Sequence, residues 1–137
     1  MTEAKLDLAK LPLIELAKMY IDVMKKMRKN IKVIENAEML STNGRKKYKF
    51  DFIIEDPAAG DLIGVIVKDW ARTLGVNVVY QFIKKIRETG LTMGILIGTE
   101  FSAIVRKREF ENIFLISRGE LVSYLKSLNY SEQAEKE

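Results

Sequence analysis

Leu13, Leu16, Ala17, Tyr20, Met24, Met27 and Ile31 recur at spacings of three and four residues, which marks one apolar stripe on a helix. Glu15, Asp22, Lys25, Lys26 and Lys29 fall on the opposite side. The spacing predicts a helix of about five turns, buried on one face, with Pro12 near its start where a missing N–H is harmless. Residues 31–40 are mixed enough to suit a strand, and Ser41 to Gly44 reads as a turn. Tyr48, Phe50, Phe52 and Ile54 then alternate with Lys47, Lys49, Asp51 and Ile53, the period of a strand. Asp56, Pro57 and Gly60 supply a turn, and Leu62 to Val67 is the continuous apolar run of a central strand. The two strands form a predicted hairpin.

A second helix is expected from about Val76 to Glu88, with Val79, Ile83 and Ile86 inward and Asn77, Gln81, Lys84, Lys85 and Arg87 largely outward. Gly90 ends it. Met93 to Gly98 reads as a buried strand, Ser102 as the cap of a short helix toward Phe110, and Asn112 to Ser117 as a short strand. A last helix from about Gly119 to Leu128 completes an α/β sheet covered on both faces. With 137 residues the chain fits one domain, residues 1–137, with residues 1–9 and 130–137 expected to fray.

Composition narrows the chemistry. Without cysteine there is no disulfide, thiol nucleophile or thiolate metal site, and without histidine there is no imidazole base or His-bound zinc. Catalysis is left to carboxylates, lysine or hydroxyls, and any metal must be a hard ion held by oxygen. Apolar runs reach six residues, as from Leu62 to Val67, too short to span a bilayer. No charged-then-apolar leader opens the sequence, so a cytoplasmic protein is expected. Scarce glutamine with abundant lysine, glutamate and isoleucine gives a thermophile-like cast.

The net charge of +4 is unevenly spread: residues 1–49 carry 12 basic and 6 acidic side chains, residues 50–100 carry 5 and 7. Basic clusters fall at Lys25, Lys26, Arg28 and Lys29, at Arg45, Lys46, Lys47 and Lys49, and at Arg106, Lys107 and Arg108. Such clusters suit a polyanion, because neutralised phosphates release condensed counterions; as single runs they equally suit a solvated face. Trp70 and Tyr80 are placed to stack on bases or to sit in the core or its rim. Asp51, on the first hairpin strand, and Lys68, closing the second, form the first pair with catalytic potential. A carboxylate and a lysine there suit a metal-held water directed at a phosphodiester.

These residues lie within a larger resemblance. The stretches KFDFIIEDPAAGDLIGVIVKDW, LGVNVVYQFIKKIRETG, GILIGTEFS and ISRGELVSYL, in that order, resemble the Mrr-type restriction endonucleases over roughly residues 12–128. Those enzymes belong to the PD-(D/E)xK nuclease superfamily, with the archaeal Holliday-junction resolvases. The resemblance implies a mixed central sheet with a β-hairpin, helices on both faces, DNA as partner, Mg²⁺ as cofactor and a homodimer. It implies Asp51 and Lys68 as catalytic residues, with Glu15 similar in placement to a glutamate that some relatives bring to the metal. DNA contacts are expected from Lys25, Lys26, Lys29, Arg45, Lys46, Lys47, Arg72 and Lys84.

One position departs from the pattern. The acid or amide two residues before the lysine is here Ile66, which cannot coordinate Mg²⁺. Three readings stay open: a relative that kept DNA binding and lost cleavage, a substitute carboxylate such as Asp61, Glu55 or Glu100, or a different register. At about 3.3 Å per residue Asp61 lies some 16 Å from position 66, too far to substitute. Glu100 follows the neighbouring strand and is better placed. A protein-interaction scaffold docking through an apolar rim of Trp70, Tyr80 and Phe101 is the reading from a different class.

Overall fold

The computed structural model describes residues 7–136, with side-chain environments as far as Leu128. The fraying expected for residues 1–6 and for the side chains of 130–137 lies outside them. Asp7, Leu8 and Ala9 belong to the leader expected to fray. Asp7 caps a 3₁₀ turn (Leu8–Lys10) by accepting the Ala9 N–H at 3.1 Å, and Leu8 is buried in the core.

Five strands form one sheet in the order β1 (Lys32–Leu40), β2 (Lys47–Asp56), β3 (Asp61–Lys68), β4 (Met93–Gly98), β5 (Ile113–Ser117). The first three are joined antiparallel and the last three parallel, so the sheet is mixed and contains the expected hairpin. Helices α1 (Leu13–Met27) and α4 (Arg118–Lys136) cover one face, and α2 (Val76–Thr89) with the short α3 (Ala103–Arg106) covers the other. Each face has its own core, one built on Leu13, Leu16, Phe52, Val65 and Ile97, the other on Phe50, Ile66, Phe82, Ile86 and Leu96. Among the described residues no helix is long and apolar enough to cross a membrane.

Helix α1 is shorter than its apolar spacing predicts. Arg28 is extended (φ −125°, ψ 130°) and Asn30 takes φ 68°, so the chain leaves the helix before Ile31. Ile31 still packs against the α1 side of the sheet, from the connection rather than the helix. Arg28 is held there by donating from Nη1 to Asp56 Oδ2 at 2.8 Å, which ties the end of α1 to the β2–β3 turn.

Strand β2 also breaks its expected alternation. Phe50 packs under α2 while Phe52 and Ile54 pack under α1, although all three share one parity. The partner strand does the same, with Val33 on the α1 side and Ala37 on the α2 side. The pairing keeps one register from Lys32↔Glu55 to Leu40↔Lys47 but skips the level of Asn36 and Asp51, where Asn36 has φ 49°. A residue in the left-handed region cannot continue the pleat, so the two-stranded ribbon turns over at that level. Its far end then lies against α2: the Thr42 N–H donates to the Glu88 carbonyl at 2.7 Å, and the Tyr48 hydroxyl donates to the Glu88 carboxylate.

Two facing glycines bring α2 close to the sheet. Gly64 and Gly94 pair across β3 and β4. A Cβ at Gly64 would lie 2.7 Å from Leu91 and 2.9 Å from Ile86, and one at Gly94 would lie 2.7 Å from Ile86 and 2.8 Å from Phe82.

Candidate functional site

Asp51 sits at the level where the ribbon turns over. The β2–β3 ladder ends at Phe52↔Val65, and beyond it the Asp51 side chain replaces the backbone partner: the Val67 N–H donates to its Oδ2 at 2.7 Å. One carboxylate oxygen is therefore engaged by the protein itself. Lys68 ends β3 on the α2 side, and its ammonium lies 5.0 Å from the centre of the Trp70 ring; the Arg72 guanidinium lies 5.1 Å from the same ring. Trp70, half-buried, thus holds two cations rather than presenting a free stacking face.

A third charged group joins them from α2. Lys85 is half-buried, and its ammonium is held below the usual lysine range first by burial and then by the positive charge of Lys68, with Asp51 pulling the other way. Lys85 therefore feels both the Lys68 ammonium and the Asp51 carboxylate. Helical spacing contains this signal, because residue 85 stacks one turn after Phe82 and one turn before Thr89, both buried. Lys85 was expected on the solvent face with Lys84. Lys84 is the exposed one, lining a separate groove with Tyr80, Arg87 and Arg108.

Ile66 is 6% exposed and belongs to the α2-side core with Val79, Phe82 and Leu96. The position at which the resemblance implies a second acid is thus held by a side chain that the core uses. The candidate substitutes are placed elsewhere. Glu15 is exposed and pairs with Lys18 at 3.8 Å; Asp61 accepts from Thr92 Oγ1 at 3.1 Å at the far end of β3; Glu55 and Glu100 are exposed. Asp69, next to Lys68, accepts from the Leu13 N–H at 3.1 Å and from Arg118 at 3.4 Å, tying α1, β3 and α4 together. Among the described residues no group of three acidic side chains is assembled to hold a metal ion. A hard divalent cation asks for several oxygen donors. A lone carboxylate with one oxygen engaged by the Val67 N–H does not fit it.

The basic residues expected to meet DNA are exposed but not contiguous. Lys25, Lys26 and Lys29 surround the end of α1, which Arg28 fixes at the Asp56 end of the sheet. Asp56 pairs with Asp61, seven residues along β3 from Lys68, so roughly 23 Å separates that cluster from the Lys68 end. Arg45, Lys46 and Lys47 lie on the ribbon end that folds against α2, and Arg72 flanks Trp70. Of the expected apolar rim, Phe101 is buried in the core and Tyr80 is turned to Arg108, whose Nη1 donates to its hydroxyl at 2.7 Å. The Gly-Glu segment near the end of the resemblance has a structural reason: the Ser117 and Glu120 side chains each accept the other's backbone N–H at 3.2 Å, a capping box that opens α4.

A mixed sheet with the hairpin residues Asp51 and Lys68, wrapped by helices on both faces, defines a nuclease-like fold. The sequence matches the model of the Mrr-type catalytic domain, restriction endonuclease, over residues 9–125, and the chain belongs to that family. A solved protein of unknown function, AF1548, shares the fold, with TM-score 0.62 and 12% identity over 84% of this chain and 67% of its own. The DNA modification-dependent restriction endonuclease AspBHI is more distantly similar, with TM-score 0.48 and 14% identity over 93% of this chain. That alignment spans 39% of the AspBHI chain. No curated protein matches the sequence significantly.

Proposed function

We propose that this chain is a DNA-binding protein built on a nuclease fold, with phosphodiester hydrolysis strongly weakened or absent. The observation that carries the reading is Ile66, buried in the core where the family pattern has an acid, and among the described residues no group of three acidic side chains makes up for it. A metal-bound water needs its ion held and its charge compensated, and this donor set is too poor in oxygen to do so. Binding needs only cations, and those are present on Lys68, Lys85, Arg72 and the exposed clusters. Phosphate-dominated contacts make such binding steeply salt-sensitive and largely indifferent to sequence. The same reading includes the homodimer implied by the resemblance and a cytoplasmic setting; sedimentation of the purified chain tests the dimer.

The test incubates the purified protein with linear, single-stranded and four-way-junction DNA in Mg²⁺ or Mn²⁺ and scores binding and cleavage together. Asp51→Asn runs beside it, because asparagine keeps an acceptor for the Val67 N–H. Binding without cleavage is the expected result. Cleavage that disappears in Asp51→Asn would restore the active-nuclease reading, and absence of both would favour a protein partner.

A further inference from the structure

The basic cluster Arg106, Lys107 and Arg108 follows α3, and the fold lays Arg108 beside α2. Tyr80, Lys84 and Arg87, spaced four and three residues apart, form one ridge of α2. Arg108 and Phe110 face that ridge from the segment between α3 and β5, and the two sides enclose a groove of about 670 Å³. Ligand clefts usually span about 300–1,000 Å³. The groove is set before anything enters it. Arg108 donates from Nη1 to the Tyr80 hydroxyl oxygen at 2.7 Å, and the Tyr80 ring stands edge-on to Phe110, with centroids 6.1 Å apart and planes at 87°. Phe110 is half-buried against the α2-side core, and the Arg108 N–H donates to the Val105 carbonyl at 3.1 Å. Tyr80 is nevertheless 48% exposed, an aromatic surface held in place and left open.

The charge around that ring is positive. Among the described residues Lys84, Arg87 and Arg108 form no ion pair. Of the two carboxylates in the groove, Glu88 is engaged by the Tyr48 hydroxyl, and Glu109 stands among the cations. Cations alone would suit any polyanion, an acidic protein segment included. A fixed ring among them selects for a second flat π-system, and a nucleic acid carries one beside each phosphate. In a duplex the bases are already stacked on one another, so a base can meet Tyr80 only where the strand is single.

We propose that the groove between α2 and the segment after α3 binds single-stranded DNA, with an unpaired base stacked on Tyr80 and backbone phosphates on Lys84, Arg87 and Arg108. The inference rests on the DNA-binding reading and deepens it by naming the form of DNA this surface takes.

The experiment measures, by anisotropy on the full chain, binding of a labelled single strand, the same strand with abasic sites, and a duplex of equal length. Tyr80→Leu is expected to weaken single-strand binding roughly five- to hundredfold and to change duplex binding less than twofold. Tyr80→Phe keeps the ring and should retain most of the affinity. The abasic strand should bind wild type about as weakly as the intact strand binds Tyr80→Leu, and Tyr80→Leu should then weaken it no further. Arg108→Gln should lower the single-strand salt slope by about 0.7, with Lys126→Gln, exposed on α4, correcting for net charge.

Equal binding of intact and abasic strands by wild type would overturn the stacking site, even if no Tyr80 variant folds. So would a Tyr80→Leu protein that binds the single strand as wild type does. Displacement of the strand by polyglutamate that is lost in Arg108→Gln, with no effect of Tyr80→Leu, would assign the groove to an acidic protein segment instead. Wild type that binds the duplex but no single strand removes this inference alone. Wild type that binds neither removes the DNA-binding reading beneath it.

Discussion

Ile66→Ala is expected to lower stability by about 2–5 kcal/mol, the usual range for emptying a buried aliphatic site, because Ile66 fills the core under α2. Chemical denaturation measures it, and a loss near zero would mean the position is not the packed residue described here. Asp51 is expected to separate its structural and electrostatic roles. Asp51→Ala leaves the Val67 N–H without its acceptor, about 1–3 kcal/mol, whereas Asp51→Asn should recover most of that in the same denaturation series. Asp56 gives a pH effect. The Arg28 hydrogen bond, helped by the Ala59 N–H, holds its carboxyl below the usual range against the opposing effect of burial. A folded-state value below the unfolded one means stability that is present above the ordinary carboxylate value and is lost as pH falls through the depressed one. The melting temperature of Asp56→Asn should therefore be lower than wild type near neutrality and converge with it in acid. At this scale the strand positions of Asp51, Lys68 and Ile66 were legible, because the alternation and the continuous apolar run fix β2 and β3. Lys85 was not, since its meaning depends on which side of α2 meets the sheet.

Strand and helix order follow the hydrophobic pattern closely, because each apolar run can be buried in only one way against its neighbours. The exceptions lie where backbone conformation overrides period. Strict alternation along β2 places Phe50 with Phe52, yet the turn-over at Asn36 and Asp51 sends them to opposite cores. No pattern of side-chain polarity announces a left-handed residue in mid-strand. The same turn-over frees Val67 from the ladder and so creates the role of Asp51. The Gly64–Gly94 pair is the second such device. Gly94→Ala is expected to cost about 1–3 kcal/mol through overpacking against Phe82 and Ile86. Chemical denaturation checks it; an alanine accepted without loss would mean that α2 does not depend on this close approach.

Across the whole molecule, the two cores divide the labour. The α1–α4 side holds the chain together through Asp69, Arg118 and the Arg28–Asp56 tie, while the α2 side carries Lys68 over Trp70 and the half-buried Lys85. The basic surface is broad rather than focused, with its clusters at separate ends of the sheet, which fits contact with an extended backbone better than with a compact ligand. The central claim is that a nuclease-family fold has lost an acid its metal site needs and retains DNA without cutting it. Its most direct test is one duplex sample followed by anisotropy through a salt titration in EDTA, then given Mg²⁺ and examined for cleavage. The account expects affinity that falls linearly on a log–log plot against salt, no gain on adding Mg²⁺, and intact DNA afterwards. Binding that begins only with Mg²⁺, accompanied by cut strands, would contradict it.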